Sequence, residues 1–247
     1  MTKIFKYELI RLLLNKFFIG LLFINGLFAW YVLTSDTVFG VAYTAPFSPW
    51  SFGGYLASVM PITMLTVLFL LTFFHSRKEK QARTITAATP VDPVRYALVR
   101  DAAVALGFAT LFLLTVGVSI YFYIAYFDYW HFSAFLLPAL VTAGPCFIFI
   151  LGLGHFAGRI HPGLLYALML ASLAMAFVKM PGAFDFFGGG YYASAPMTLP
   201  LGADGEPVFA LSAAFWAARA VYFIVGAGLL AIGLHRSRRK VSEASGA

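Results

Sequence analysis

Polar and apolar residues fall into long blocks along this chain rather than into an even mixture. A membrane-spanning helix needs about 20 mostly apolar residues, and six blocks qualify: 17–34, 51–74, 97–127, 132–157, 163–180 and 209–234. The third is longer than required, so its ends are expected to project beyond the hydrocarbon. The fifth is marginal and stops at Pro181-Gly182. The pattern predicts an all-α fold: a polytopic membrane protein with six transmembrane helices, the whole of 1–247 forming one transmembrane domain.

Outside these blocks the periodicity changes. In 1–16, Phe5, Leu9, Leu12 and Leu13 share one helical face while Glu8, Arg11 and Asn15 cluster on another. This predicts an interfacial helix with its Phe5–Leu13 face in the acyl boundary; a straight extension of the first span is the alternative. Residues 35–50 combine Pro46 and Pro49 with Phe39, Tyr43, Phe47 and Trp50, as an interface belt does. The extracytoplasmic loop 181–208 is broken by glycines and prolines, which predicts short helical turns or a partly re-entrant segment.

Composition points the same way. Hydrophobic residues make up 61% of the chain and charged residues 11%, against about a quarter charged in a soluble domain. Such a chain requires the bilayer as its solvent. The net charge of +7 therefore reports orientation before it reports nucleic acid, and no nucleic-acid partner is expected. Basic residues gather in 1–16, in the connector from Arg77 to Arg100, at Arg159, and after the sixth span from Arg236 to Lys240. Asp36, Asp128, Asp185, Asp204 and Glu206 occupy the opposite side. Both termini are thus expected in the cytoplasm, with the protein in the cell membrane.

Catalytic motifs are missing. The string GxxxxGK followed by Ser or Thr, which would cradle a nucleotide's phosphates, does not occur, nor do HExxH or GxSxG. The five histidines are scattered, and the lone Cys146 reads as a small buried hydrophobe; neither catalytic nor metal-binding residues are expected. One charge lies inside a span. Arg219 has Phe215, Trp216, Tyr222 and Phe223 at helical spacing around it. Arg219 and Trp216 are therefore candidates for a substrate path or an interface, or else Arg219 snorkels or bonds a carbonyl.

The stretch RKEKQARTITAATPVDPVR, 77–95, is polar and basic between two apolar blocks. Its Lys, Glu, Gln, Arg and Ala favour helix, Thr89 before Pro90 ends that helix, and Asp92-Pro93 caps the next. A helix, a sharp break and a second helix are therefore predicted at the cytoplasmic surface. At these residues the chain resembles the ABC-type-2 permeases, the membrane subunits of ATP-binding-cassette exporters. Their first cytoplasmic loop carries charges, a Gly-Thr pair, an aliphatic run, a proline and then a basic residue. Here these are Arg77 to Lys80, Arg83-Thr84, 85–89, Pro90 and Arg100, with Arg83 where glycine is usual and a more polar run than is common.

The resemblance implies that 75–96 is a coupling segment. Glu79, Arg83, Thr84, Thr89 and Pro90 would then rest in a groove of a separate ABC ATPase subunit, which binds ATP and Mg. It also implies N-terminal-helix contact with that ATPase, a homodimer or a heterodimer with a homologous permease, and export of an amphiphilic, peptide-like or lipid-like substrate. A non-transporting scaffold or sensor subunit is the rival reading, with the basic stretch then a solvated loop.

Overall fold

The computed structural model describes residues 2–75, 93–178, 182–202 and 205–245. Among the described residues there is no strand, only an isolated bridge between Leu201 and Pro207. The helices are α1 (Thr2–Leu13), α2 (Lys16–Ser35), α3 (Pro49–His75), α4 (Pro93–Phe127), α5 (Leu136–Ile160), α6 (Gly163–Met175), α7 (Gly189–Ser194) and α8 (Ala213–Ser245). Five of them, α2, α3, α4, α5 and α8, are long and apolar enough to cross a membrane.

Local chemistry sets several boundaries. Asn15 breaks the chain between α1 and α2, because its side chain accepts from Phe17 N at 2.9 Å and so satisfies one of the free amides at the start of α2. Helix α4 opens at Pro93, where a missing N–H costs nothing. Helix α8 begins at Ala213 rather than 209. Ser212 Oγ accepts from Phe215 N at 3.3 Å, and Ser212 N donates to Tyr191 Oη at 2.7 Å. Helix α6 ends at Met175, short of 180, after about 20 Å of rise against a hydrocarbon core of about 30 Å.

Helix α3 is the centre of the bundle. Its Met60, Met64, Val67, Leu68 and Leu71 are fully buried, and α2, α4, α5, α6 and α7 pack around it. Buried Asn25 fastens α2 to it, donating to Thr66 Oγ1 at 3.0 Å and accepting from Thr63 Oγ1 at 3.1 Å. Ser172 fastens α6 by donating to Pro61 O at 3.1 Å. On the far side α5 and α8 cross closely at Gly152 and Gly226, where a Cβ on either would strike the other helix's main chain.

The N-terminal helix differs from expectation in its orientation. Leu12 is fully buried, and Phe5 and Leu13 pack against the core. The exposed apolar residues of this region are Tyr7, Ile10, Leu14 and Phe17. Both faces of α1 are apolar enough to be read as the membrane face, and tertiary packing on α4 takes the Phe5–Leu13 side.

Candidate functional site

The coupling residues Glu79, Arg83, Thr84, Thr89 and Pro90 lie outside the described residues. The structure does describe their frame: α3 leaves toward them at His75, and α4 returns from them at Pro93. At this end, which also carries α1, polar side chains are sunk between helices. Glu8, 2% exposed, meets Arg11 Nη2 at 2.9 Å and accepts from Tyr96 Oη at 3.2 Å. Arg100 on α4 lies over the Phe74 ring of α3, 4.0 Å from its centroid. Asp101 Oδ1 meets His155 Nε2 at 2.6 Å, joining α4 to α5, and the His75 ring lies 5.8 Å from that of His155. Arg159 donates to Gly233 O, joining α5 to α8. Five helices are thereby linked around the exit and entry of segment 76–92.

A second polar cluster forms about 15 Å along α5 from its start and about 9 Å along α8 from its start. Here residues 184–188, which are not α-helical, run between apolar helices, and every enclosed main-chain group needs a partner. Arg219, 2% exposed, donates to Phe186 O and, through Nη2, to Asp185 O at 3.0 Å. Cys146 Sγ donates to Phe186 O at 3.2 Å, and Tyr222 Oη to Phe184 O at 2.8 Å. The amides are met by Asp185: its Oδ1 accepts from Phe187 N at 3.1 Å and Gly188 N at 3.2 Å, its Oδ2 from Gly190 N at 2.7 Å.

Opposite charges thus enter this enclosure together, one serving carbonyls and the other amides. The guanidinium also lies 4.5 Å from the Phe215 ring centroid. Gly188, at φ +91, permits the turn, and a Cβ there would come within 2.7 Å of Arg219 Nη2. Beyond it Tyr192 shares a 2.9 Å hydrogen bond with Thr142 on α5.

Arg219 and Trp216 are not brought together. Trp216 is 46% exposed on the outer face of α8, whereas Arg219 points inward. Among the described residues, Arg219 Nε has no hydrogen-bond partner, and no group of three or more His, Cys, Asp or Glu could hold a metal ion. Sequence reasoning missed Asp185 as Arg219's counterpart and the Asp101–His155 pair. An acid in the apolar run GAFDFFGG was the signal available for Asp185. Between α2 and α4 an open apolar groove of roughly 630 Å³ is lined by Gly26, Trp30, Leu113, Gly117 and Tyr121.

No family model, curated protein or solved structure matches the chain.

Proposed function

We propose that this chain is the permease subunit of an ATP-driven exporter of the ABC type. It resides in the cell membrane with both termini cytoplasmic, and it pairs with a homologous permease and with separate ATPase subunits. It moves an amphiphilic, peptide-like or lipid-like substrate outward. The observation that carries this reading is the polar frame around His75 and Pro93. A short cytoplasmic segment transmits a partner's motion only if both its ends are anchored in stiff elements, and linked helices supply such anchors. The helix-breaking pattern of 77–95 supplies the segment itself.

Two hydrogen bonds support a sixth passage. Ala45 N donates to Glu206 Oε1 at 2.9 Å and Trp50 Nε1 to Pro207 O at 3.2 Å, so 206–207 adjoin the α2–α3 loop, while α6 starts at the opposite end. On this reading α6, with α7 and the turns around it, makes the sixth passage. The same cluster favours a second reading. Arg219 is occupied with main-chain carbonyls rather than facing a path, as suits a non-transporting scaffold.

Purification of the chain from its own membranes tests both. An ATPase subunit is expected in stoichiometric amount, lost on Glu79→Ala with Arg83→Ala. A robust ATPase complex that survives a proline placed within 79–89 overturns the docking role. An ATPase complex that moves nothing across vesicle membranes supports the scaffold.

A further inference from the structure

The exposed side of the N-terminal region carries an uninterrupted apolar stripe. Tyr7, Ile10 and Leu14 are 64%, 47% and 70% exposed at helical spacing, and Phe17, 58% exposed, opens α2 just past the Asn15 break. The stripe does not end at the break. It runs into Phe23, Leu27 and Tyr31, the exposed face of membrane-capable α2. Whatever solvates α2 therefore reaches the stripe without a gap, and acyl chains are the medium that an apolar spanning face demands.

Charge then identifies the neighbour of those chains. Lys6 and Lys16 are exposed beside the stripe, and Lys16 Nζ lies 5.5 Å from the Phe17 ring centroid. The acid within 1–16 is Glu8, and it is buried against Arg11 and Tyr96. The outward face consequently presents lysines and aromatic or aliphatic groups with no carboxylate among them. Lysine stems lie along apolar surface while their heads reach outward to phosphate, and tyrosine favours the same depth.

We infer that this face of α1 is a binding surface for anionic lipid. Tyr7, Ile10, Leu14 and Phe17 sit at the upper acyl chains, and Lys6 and Lys16 engage the negatively charged headgroups of the leaflet that faces the basic end of the bundle. The inference rests on the membrane location proposed above but not on transport. It assigns the stripe to lipid and leaves ATPase contact to segment 79–89.

The full chain, reconstituted in vesicles of phosphatidylcholine and phosphatidylglycerol with bromine on the acyl chains of one lipid or the other, tests it. Tyr7→Trp provides the probe, read as the fluorescence added over the parent chain. Brominated phosphatidylglycerol is expected to quench it more strongly than brominated phosphatidylcholine. Lys6→Gln and Lys16→Gln should each lower that preference about fivefold. Equal quenching by the two lipids overturns the charge-selective site. Quenching by neither lipid overturns it too: acrylamide access then means that water covers the face, and its exclusion means that protein does. Leu14→Trp repeats the measurement should Tyr7→Trp not accumulate. Failure of the chain to float with vesicles is a separate outcome that removes the membrane reading itself.

Discussion

Arg219 and Arg100 are both buried, at 2% and 8% exposure, and both lie over aromatic rings, yet their surroundings put them to different uses. Arg100 lies over side chains, the Phe74 and Tyr96 rings, in a layer where Glu8, Arg11, Asp101 and His155 tie helix to helix. Arg219, over the Phe215 and Tyr222 rings, also binds main chain, the carbonyls of Asp185 and Phe186. At the basic end the described charges sit on helices and link one element to the next, Arg159 through the Gly233 carbonyl. In the 184–188 cluster the backbone is irregular, and charge is consumed in satisfying it. The first arrangement can loosen one contact at a time. The second cannot, because removing Arg219 takes a donor from the Asp185 and Phe186 carbonyls at once.

Arg219→Met should therefore have the largest effect, destabilising the chain by about 2–4 kcal/mol. Thermal unfolding in detergent reads the loss. The single cysteine offers a local readout, since Cys146 is fully buried behind the Phe186 carbonyl. Its labelling by a maleimide should accelerate at least tenfold in the variant at temperatures where the bundle is still helical. A variant that melts like the parent with Cys146 still protected would mean that Arg219 is not the clasp of this segment.

Much of the architecture follows from hydropathy because the membrane-capable helices satisfy their own backbone and need only an apolar surface. That is why α2, α3, α4, α5 and α8 are readable as blocks. The misreadings occur where a choice depends on another element. On α1 two apolar faces compete, and only α4 decides which is buried. Helix α6 stops at Met175 although apolar sequence continues through Phe177 and Val178, and nothing local in Ala-Met-Ala announces the stop. Arg219 stands out as a charge in a span, but its partners are carbonyl oxygens, which every residue has. Asp185 lies 34 residues away with no spacing rule to connect the two. The Asp101–His155 pair is hidden for the same reason: it joins α4 to α5 across a whole passage of chain.

A smaller change sharpens the contrast at the basic end. Asp101→Asn keeps an acceptor oxygen beside His155 and alters the charge of one contact among several. Both side chains retain some exposure, 17% for Asp101 and 14% for His155, so solvent screening moderates the loss. A destabilisation of about 1 kcal/mol is expected, with Cys146 labelling unchanged because that cluster lies elsewhere along α5. If Asp101→Asn matched Arg219→Met in its effect on melting, the two ends would be equally brittle, and the distinction between linking charge and backbone-satisfying charge would fail.

The smallest effect belongs to the neighbour that sequence reasoning grouped with Arg219. Trp216 is one helical turn away yet faces outward, so Trp216→Phe removes an exposed indole without opening a cavity. Stability should stay within about 0.5 kcal/mol of the parent. The two residues therefore separate folding from interface in one helix. Arg219→Met is to be seen in the isolated chain, whereas any loss from Trp216→Phe must appear only when something else contacts α8. Dimerisation and substrate movement in the complex proposed above, measured beside the unchanged melting curve, would register such a contact. An unaltered complex with an unaltered melt would remove Trp216 from the interface and leave it as a lipid-facing aromatic.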